Sequence, residues 1–319
     1  MLSRTAENLF WMARAMERAE NTARMLDVSF RMSLLPSSLD RQAQFEPILS
    51  IAPGDGRFHE LYGQLSHENI IRYVALDQEN AGSICSLIKN ARENARAQRS
   101  AISSEAWESL NSTWLQVQNL DYDGLMRWGY RDFFDWVKER SHLFRGVVFG
   151  TMLHDDGFRF IRLGTFIERA DSTARILDVK YHVLLPDSEQ VGGYVDYYQW
   201  GALLRSVGAF RAYRRVYHDM VFPWRIAELL ILREDMPRSL HHCYKIIIET
   251  LEELAGKKPL ECRRIAGQTY AQLCYGRIDR VFAQGLHEFL TAFVDRNDEL
   301  GIQLQEDFLL TPVVMAEAV

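Results

Sequence analysis

The chain has 319 residues, of which 47% are hydrophobic and 25% charged, and its formal net charge at pH 7 is −6. This composition excludes an intrinsically disordered chain, and the negative charge disfavours nucleic-acid binding through bulk electrostatics. We expect no membrane span and no signal peptide, because no apolar run approaches about 18 residues and no apolar segment follows the first residues. The four cysteines form no CxxC pair, which predicts a reduced, cytoplasmic protein.

Helical periodicity runs through the whole chain. Apolar residues near the N-terminus recur every three or four positions: Leu9, Met12, Met16, Ala19, Ala23, Leu26 and Phe30. Similar spacing predicts helices, in chain order, near 4–33, 58–76, 81–100, 103–118, 130–150, 156–184, 195–218, 223–232, 237–255, 260–275 and 278–305. Loops are expected where proline, glycine and serine cluster, around 36–38, 53–56 and 186–188. The pattern therefore predicts an all-α protein.

One segment of the first long helix occurs a second time. Residues 17–28 read ERAENTARMLDV and residues 168–179 read ERADSTARILDV, so nine of twelve positions are identical. Two weaker similarities follow in the same order: ALDQENAGSI at 75–84 with ILREDMPRSL at 231–240, and His142-Leu143-Phe144 with His287-Glu288-Phe289. We therefore predict an internal duplication.

The duplication suggests how the chain is organised. Its halves are expected at 1–155 and 156–319, related by a pseudo-twofold and packed into one helical bundle, since no low-complexity linker separates them. Alanines 19, 23, 170 and 174 lie on the apolar faces of the two repeated helices. Small residues allow a close approach, so we expect these two helices to pack against each other.

A charged stripe runs beside the apolar face of each repeated helix. The first stripe comprises Glu17, Glu20, Arg24 and Asp27, and the second comprises Glu168, Asp171, Arg175 and Asp178; Arg18 and Arg169 lie on the opposite flank. Helical geometry places these charges at the border of the apolar face, so we expect half-buried rims with ion pairs between residues three or four apart.

Three interpretations of these charges are open. The stripes are structural ion-pair ladders, or they line a groove that binds a ligand or partner, or their carboxylates act as acid/base groups. The candidate groove comprises Glu17, Arg18, Glu20, Arg24, Glu168, Arg169, Asp171 and Arg175.

The repeated motif also identifies a family. The Glu-Arg-Ala helix, together with ARENAR at 91–96, MPRSL at 236–240 and GLHEFL at 285–290, resembles the bacterial alpha-E domain family over nearly the whole chain. The resemblance implies an all-helical protein with no established reaction. It also implies a genomic association with a circularly permuted ATP-grasp protein and a transglutaminase-like cysteine peptidase, and hence a peptide-modifying or amide-ligating system.

A second candidate site lies at 235–239. Asp235 precedes Met236-Pro237 in the manner of an N-cap, so free backbone amides with Arg238 and Ser239 could hold a carboxylate or phosphate. An ordinary helix cap is the alternative.

Other sites find little support in the sequence. Glu139-x-x-His142 is the single Glu-x-x-His pair in the chain, which supplies too few ligands for a di-iron centre. Nucleotide-binding and hydrolase motifs are absent, so we expect no metal and no cofactor.

These observations favour a non-catalytic or weakly catalytic helical protein that binds a peptide or a partner enzyme in a peptide-modification system. The possible partners are an ATP-grasp-type enzyme and a transglutaminase-like peptidase. The alternative is an enzyme that uses the paired Glu and Arg residues of the repeated helices for amide or peptide chemistry. An enzyme should have an unpaired, desolvated base in a pocket, whereas a binding protein should have closed ion pairs.

Overall fold

In the computed structural model, which describes residues 3–33, 49, 55–183 and 194–309, every regular element is helical. The first helices are α1 (Ser3–Ser33), α2 (Asp55–Tyr62), α3 (His67–Ile70), α4 (Ile84–Ala97), α5 (Ser104–Val117), α6 (Tyr122–Trp128) and α7 (Tyr130–Thr151). The remaining helices are α8 (Asp156–Val183), α9 (Tyr194–Ser206), α10 (Phe210–Tyr217), α11 (Pro223–Ile231), α12 (Leu240–Ala255), α13 (Glu261–Cys274), α14 (Ile278–Gln284) and α15 (Leu286–Leu304). A π-helical segment, Ile71–Leu76, continues α3. The predicted all-α fold is confirmed.

The predicted apolar face of α1 forms the centre of the core. Its residues are at most 1% exposed: Leu9, Met12, Met16, Ala19, Ala23, Leu26 and Phe30. The matching face of α8 is also buried through Phe160, Leu163, Ile167, Ala170, Ala174 and Leu177. Burial of these two faces gives both helices a hydrophobic reason to occupy the interior.

The two repeated helices lie against each other, as predicted. Gly164 of α8 is so close to α1 that a Cβ atom there would lie 2.3 Å from the carbonyl oxygen of Phe10. Four residues further along both helices, Arg14 bonds Glu168, so α1 and α8 run in the same direction. The absent side chain of Gly164 is what permits this approach.

Further helices cover the central pair on both sides. Helices α4 and α7 pack against α1, and α5 packs on both of them. Helices α12 and α15 pack against α8 in the same way, and α13 packs on both of them. The polar borders of α1 and α8 are thereby enclosed as well as their apolar faces.

Three predicted helices are interrupted by glycines in a left-handed conformation. Gly63, at φ +68°, separates α2 from α3; Gly208, at φ +69°, lies between α9 and α10; and Gly285, at φ +102°, separates α14 from α15. An L side chain disfavours positive φ, so these positions end helices that apolar spacing alone would continue. Helix α6 was not predicted.

Three further sequence expectations concern the loops, the third sequence similarity and membrane spans. The loops expected at 36–38 and 186–188 lie outside the described residues. His142 lies in the middle of α7, whereas His287 lies in the first turn of α15, so the third sequence similarity does not join equivalent helical positions. No described helix is long and apolar enough to cross a lipid bilayer.

Candidate functional site

The Glu-Arg pairs of the two repeated helices exchange partners. Arg169 of α8 donates two hydrogen bonds to Glu17 of α1, from Nε to Oε1 at 2.9 Å and from Nη2 to Oε2 at 2.9 Å. Arg18 of α1 donates two hydrogen bonds to Glu168 of α8 from the same two nitrogens, at 2.5 and 2.8 Å. Each motif thus supplies a glutamate to the other motif's arginine, in the bidentate geometry that makes such pairs strong.

Further arginines surround Glu17 and its neighbour Glu20 on α1. Arg145 of α7 donates from Nη1 to Glu17 Oε2 and to Glu20 Oε2, both at 2.6 Å. Arg238, which precedes α12, contacts Glu17 Oε1 at 3.3 Å and bonds Glu20 Oε1. Arg24 bonds Glu20 at 2.8 Å, as the predicted pair four residues apart. Arginines from three parts of the chain therefore meet at two neighbouring carboxylates.

The charged stripes lie inside the protein rather than at its rim. Glu17 and Glu168 are 1% exposed and Glu20 is fully buried, so the expected half-buried rims are wrong for these residues. The stripe of α1 is enclosed because α7 and the segment before α12 cover it with Arg145 and Arg238. The eight residues of the candidate groove form two sets of ion pairs, one around Glu17 and Glu20 and the other around Glu168 and Asp171, and the glutamates do not line an open groove.

Burial and ion pairing act in opposite directions on the glutamates. Burial alone raises the pKa of Glu17, but Arg169, Arg145 and Arg238 outweigh it and lower the pKa to about 2. For Glu20, burial is again outweighed, and Arg238 and its other partners hold the pKa well below its ordinary value. Burial also opposes ionisation of Glu168, yet Arg14 and Arg18 lower its pKa. All three carboxylates therefore stay ionised at neutral pH.

Asp171 differs from the glutamates. Arg175 bonds its Oδ2 atom at 2.8 Å, as predicted, but its buried Oδ1 atom has no hydrogen-bond donor within the described part of the chain. Burial raises the pKa of Asp171, and Arg175 only partly offsets this effect. Asp171 is the member of the candidate site whose carboxylate is least well compensated.

The second candidate site does not form. Asp235 is held by Arg233 through two hydrogen bonds, at 2.7 and 2.6 Å, and caps no helix. Ser239 is the N-cap of α12 instead, since its hydroxyl accepts from the backbone N–H of His242 at 2.9 Å. Arg238 points away from both and joins the Glu17–Glu20 cluster. Helix α12 starts three residues later than predicted, and the turn before it separates these side chains.

The ends of the stripes make other pairs. Asp27 bonds Arg31 at 2.8 Å and lies 3.6 Å from Lys138, so the expected Arg24–Asp27 pair is wrong. Asp178 accepts from His287 at 2.7 Å. These two aspartates lie about two turns beyond Glu20 and Asp171 and do not contact them.

Sequence reasoning missed Arg14 and Arg145, and it assigned Arg238 to a different site. Arg145 lies 125 residues from Glu20 and Arg238 lies 218 residues from it, and neither carries a local signal of its partner. The local contact of Arg145 with Ser141, four residues earlier on α7, gives only a weak indication of its partners on α1. Such contacts depend on how distant helices pack, which residue spacing does not encode.

The described residues offer no arrangement of three His, Cys, Asp or Glu side chains that could hold a metal ion. His142, the histidine of the one Glu-x-x-His pair, lies 3.4 Å from both Glu20 and Arg24 and is 54% exposed. It therefore belongs to the outer edge of the arginine cluster.

Comparison with known proteins gives one result. A family model described as a predicted α-helical domain with a conserved ER motif matches residues 1–309. The Glu-Arg dipeptides that exchange partners, at 17–18 and 168–169, lie within this range. No curated protein and no solved structure matches the chain.

Proposed function

Since the chain belongs to the Alpha-E family, whose description gives a fold and a motif but no reaction, we propose a function from the motif's geometry. The protein is a non-catalytic or weakly catalytic binding protein of a peptide-modification system. Its partner is an ATP-grasp-type enzyme or a transglutaminase-like peptidase of that system, as the resemblance of the sequence implies. Its four cysteines are free, which supports a reducing, cytoplasmic location.

The observation that carries this proposal is the pairing of the motif glutamates. A general base must reach the proton it removes and have a pKa near the working pH. In Glu17 and Glu168, both carboxylate oxygens instead accept hydrogen bonds from arginines, and both side chains are shielded from solvent. Closed ion pairs of this kind favour a structural role for the motif and a binding role for the protein.

An enzymatic alternative remains, and Asp171 is the residue that favours it. A buried carboxyl group with a raised pKa is a common general acid or base. Asp171 combines these properties with one unpartnered oxygen atom. An enzyme acting on amides or peptides would therefore use Asp171 rather than the two motif glutamates.

We also infer that the two halves, 1–155 and 156–319, arose by duplication and are related by a pseudo-twofold. The exchanged Glu-Arg pairs support this inference, since a twofold turns one pair into the other. Ser83 and Ser239 cap α4 and α12 in the same way, and they lie 156 residues apart, as do Gly129 and Gly285, which precede α7 and α15. The shared layout of the covering helices supports it further.

The test of the proposed function is reconstitution with the partner enzyme. The chain is co-expressed with the ATP-grasp-type enzyme of its own host, and complex formation and modified peptide are measured by size-exclusion chromatography and mass spectrometry. We expect a complex, and we expect product to depend on the chain and to persist in the Asp171→Asn variant.

Glu139→Gln serves as the control, because Glu139 is an exposed carboxylate on α7. Absence of both complex and chain-dependent product would refute the binding role. Loss of product in Asp171→Asn alone, with unchanged melting and an intact complex, would instead establish the enzymatic alternative.

A further inference from the structure

Arg145 uses only part of its guanidinium group within the protein. Its hydrogen bonds to Glu17, Glu20 and Ser141 all come from the single nitrogen Nη1, at 2.6, 2.6 and 2.7 Å. Nε and Nη2 have no acceptor among the described residues, and 25% of the side chain is exposed. Arg145 therefore faces the buried cluster with one nitrogen and carries unused donors on its other side.

The unused donors form the edge that binds carboxylates elsewhere in this chain. Arg169 holds Glu17 with Nε and Nη2, and Arg18 holds Glu168 with the same two atoms. Two parallel N–H groups match the two oxygens of a carboxylate. Arg145, whose side chain is 25% exposed, thus keeps free the same pair of donors that the motif arginines use inside the protein.

The charge balance around Arg145 also calls for an anion. Four arginines lie within ion-pair distance of Glu17, of Glu20 or of both: Arg145 and Arg238 contact both, Arg169 contacts Glu17, and Arg24 contacts Glu20. Two carboxylates therefore face four guanidinium groups, which leaves two positive charges in excess in a largely desolvated cluster. Uncompensated buried charge is costly, so an added anion is stabilised there.

The state of Arg238 agrees with this excess. Burial lowers its pKa to about 10, and although Glu20 and Glu17 oppose the shift, Arg24 and Arg169 add to it. The outer edge of the cluster is formed by Arg145 and by the exposed His142, which lies beside Arg24. Arg145 and His142 are 25% and 54% exposed, so they are the members of the cluster that a ligand from solvent would meet first.

We propose that the Nε–Nη2 edge of Arg145 is a binding site for a carboxylate group of a peptide ligand, held by two parallel hydrogen bonds and by the excess positive charge behind it. The site deepens the proposed binding role and rests on it for the peptide nature of the ligand. It assigns a function to a residue outside the Glu-Arg motif.

The direct test is titration of the intact protein with triglutamate. Triglutamine is the uncharged comparison probe and inorganic phosphate is the alternative oxyanion; binding is measured by isothermal titration calorimetry at low salt. We expect triglutamate to bind and triglutamine not to bind. Arg145→Lys should weaken triglutamate binding about tenfold or more, because lysine keeps the charge but loses the bidentate edge.

Arg131→Lys is the matched control, since Arg131 is an exposed arginine of α7 that stacks on Tyr130 and touches no carboxylate within the described structure. It should bind triglutamate as the parent protein does. Equal binding by the parent and Arg145→Lys, or binding of phosphate but not of triglutamate, would overturn the proposal.

A second measurement needs no variant and so does not depend on folding of Arg145→Lys. Phenylglyoxal modifies guanidinium groups that solvent can reach, and Arg145 is 25% exposed whereas Arg169 and Arg238 are 9% and 8% exposed; mass spectrometry locates the modified residues. We expect Arg145 to react in the free protein and to be protected by triglutamate, while Arg169 and Arg238 stay unmodified. An unreactive Arg145, or one that triglutamate does not protect, would refute the site and leave the reconstitution test of the binding role unaffected.

Discussion

Glu20 and Asp171 occupy equivalent positions of the repeated motif, yet their surroundings differ. Glu20 meets Arg24, Arg145 and Arg238, whereas Asp171 bonds Arg175 and leaves one buried oxygen without a donor. Burial opposes ionisation of both side chains. At Glu20 the arginines outweigh burial and lower the pKa, whereas at Asp171 burial prevails and raises the pKa. One motif thus supports two opposite electrostatic states, decided by residues outside it.

This contrast predicts different stability effects for two conservative substitutions. Glu20→Gln removes the charge that several buried guanidinium groups share, so it should lower the free energy of unfolding by about 3–5 kcal/mol. Asp171→Asn removes a poorly compensated charge and should change it by less than about 1 kcal/mol, or raise it. Urea denaturation at pH 7 measures both; equal destabilisation by the two substitutions would contradict the assignment.

Thiol chemistry gives an independent check on burial. Burial raises the pKa of Cys85 and of Cys243 to about 12, and it raises the pKa of Cys262 as well. Cys274 is exposed at the end of α13. We therefore expect one thiol, that of Cys274, to react rapidly with a disulfide reagent in the native protein at pH 8. Cys274→Ser is the control. Rapid reaction of a second thiol would show that at least one of Cys85, Cys243 and Cys262 is accessible to solvent rather than buried.

At the scale of helices, Gly164 sets the distance between α1 and α8. A Cβ atom at this position would meet the backbone of Phe10, which cannot move aside as a flexible side chain can. Gly164→Ala should therefore destabilise the protein by about 1–3 kcal/mol. Gly146→Ala is the matched control in α7: a Cβ atom there meets nothing within 4 Å, so it should stabilise by about 0.5–1 kcal/mol. Thermal melting measures both, and a neutral Gly164→Ala would refute the close approach.

Sequence patterns predicted most helices because apolar spacing and burial agree along each element. Both repeated helices were predicted to within a residue or two, and so were α5, α7 and α13. The breaks at Gly63, Gly208 and Gly285 were missed, since a glycine within an apolar pattern does not reveal its own φ. The duplicated Glu-Arg motif was found from the sequence, but the exchange of partners between its two copies was not, and neither were the contacts of Arg145 and Arg238, because only tertiary packing brings these residues together.

At the scale of the whole molecule, the central helix pair joins both parts of the chain. Glu17 depends on Arg169 and Glu168 depends on Arg18 and Arg14, so neither part satisfies its buried charges alone. We therefore expect a single cooperative unfolding transition, with calorimetric and van't Hoff enthalpies that agree. Two separate transitions by differential scanning calorimetry would show that the two halves are independently stable.

The pH dependence of stability follows from the same pairs. The folded-state pKa of Glu17 is about 2, below the 4.5 of an unperturbed glutamate, so its ion pairs stabilise the fold fully above pH 4.5. This contribution is lost as the pH falls from about 4.5 towards 2, because the unfolded state then binds the proton more readily. Glu17→Gln should melt at a lower temperature at pH 7 and show a flatter pH dependence in that window. An unchanged slope would contradict the lowered pKa.

The central claim is that the glutamates of the repeated motif are structural anions rather than acid/base groups, and carboxyl titration tests it most directly. Protein labelled with ¹³C at glutamate carboxyl carbons is titrated by NMR from pH 8 to pH 5, with Glu17→Gln, Glu20→Gln and Glu168→Gln variants assigning the signals. Low pKa values predict no inflection for any of these three carboxyl groups in this range. An inflection between about pH 6 and 8 from Glu17 or Glu168, as expected of a general acid or base, would contradict the account.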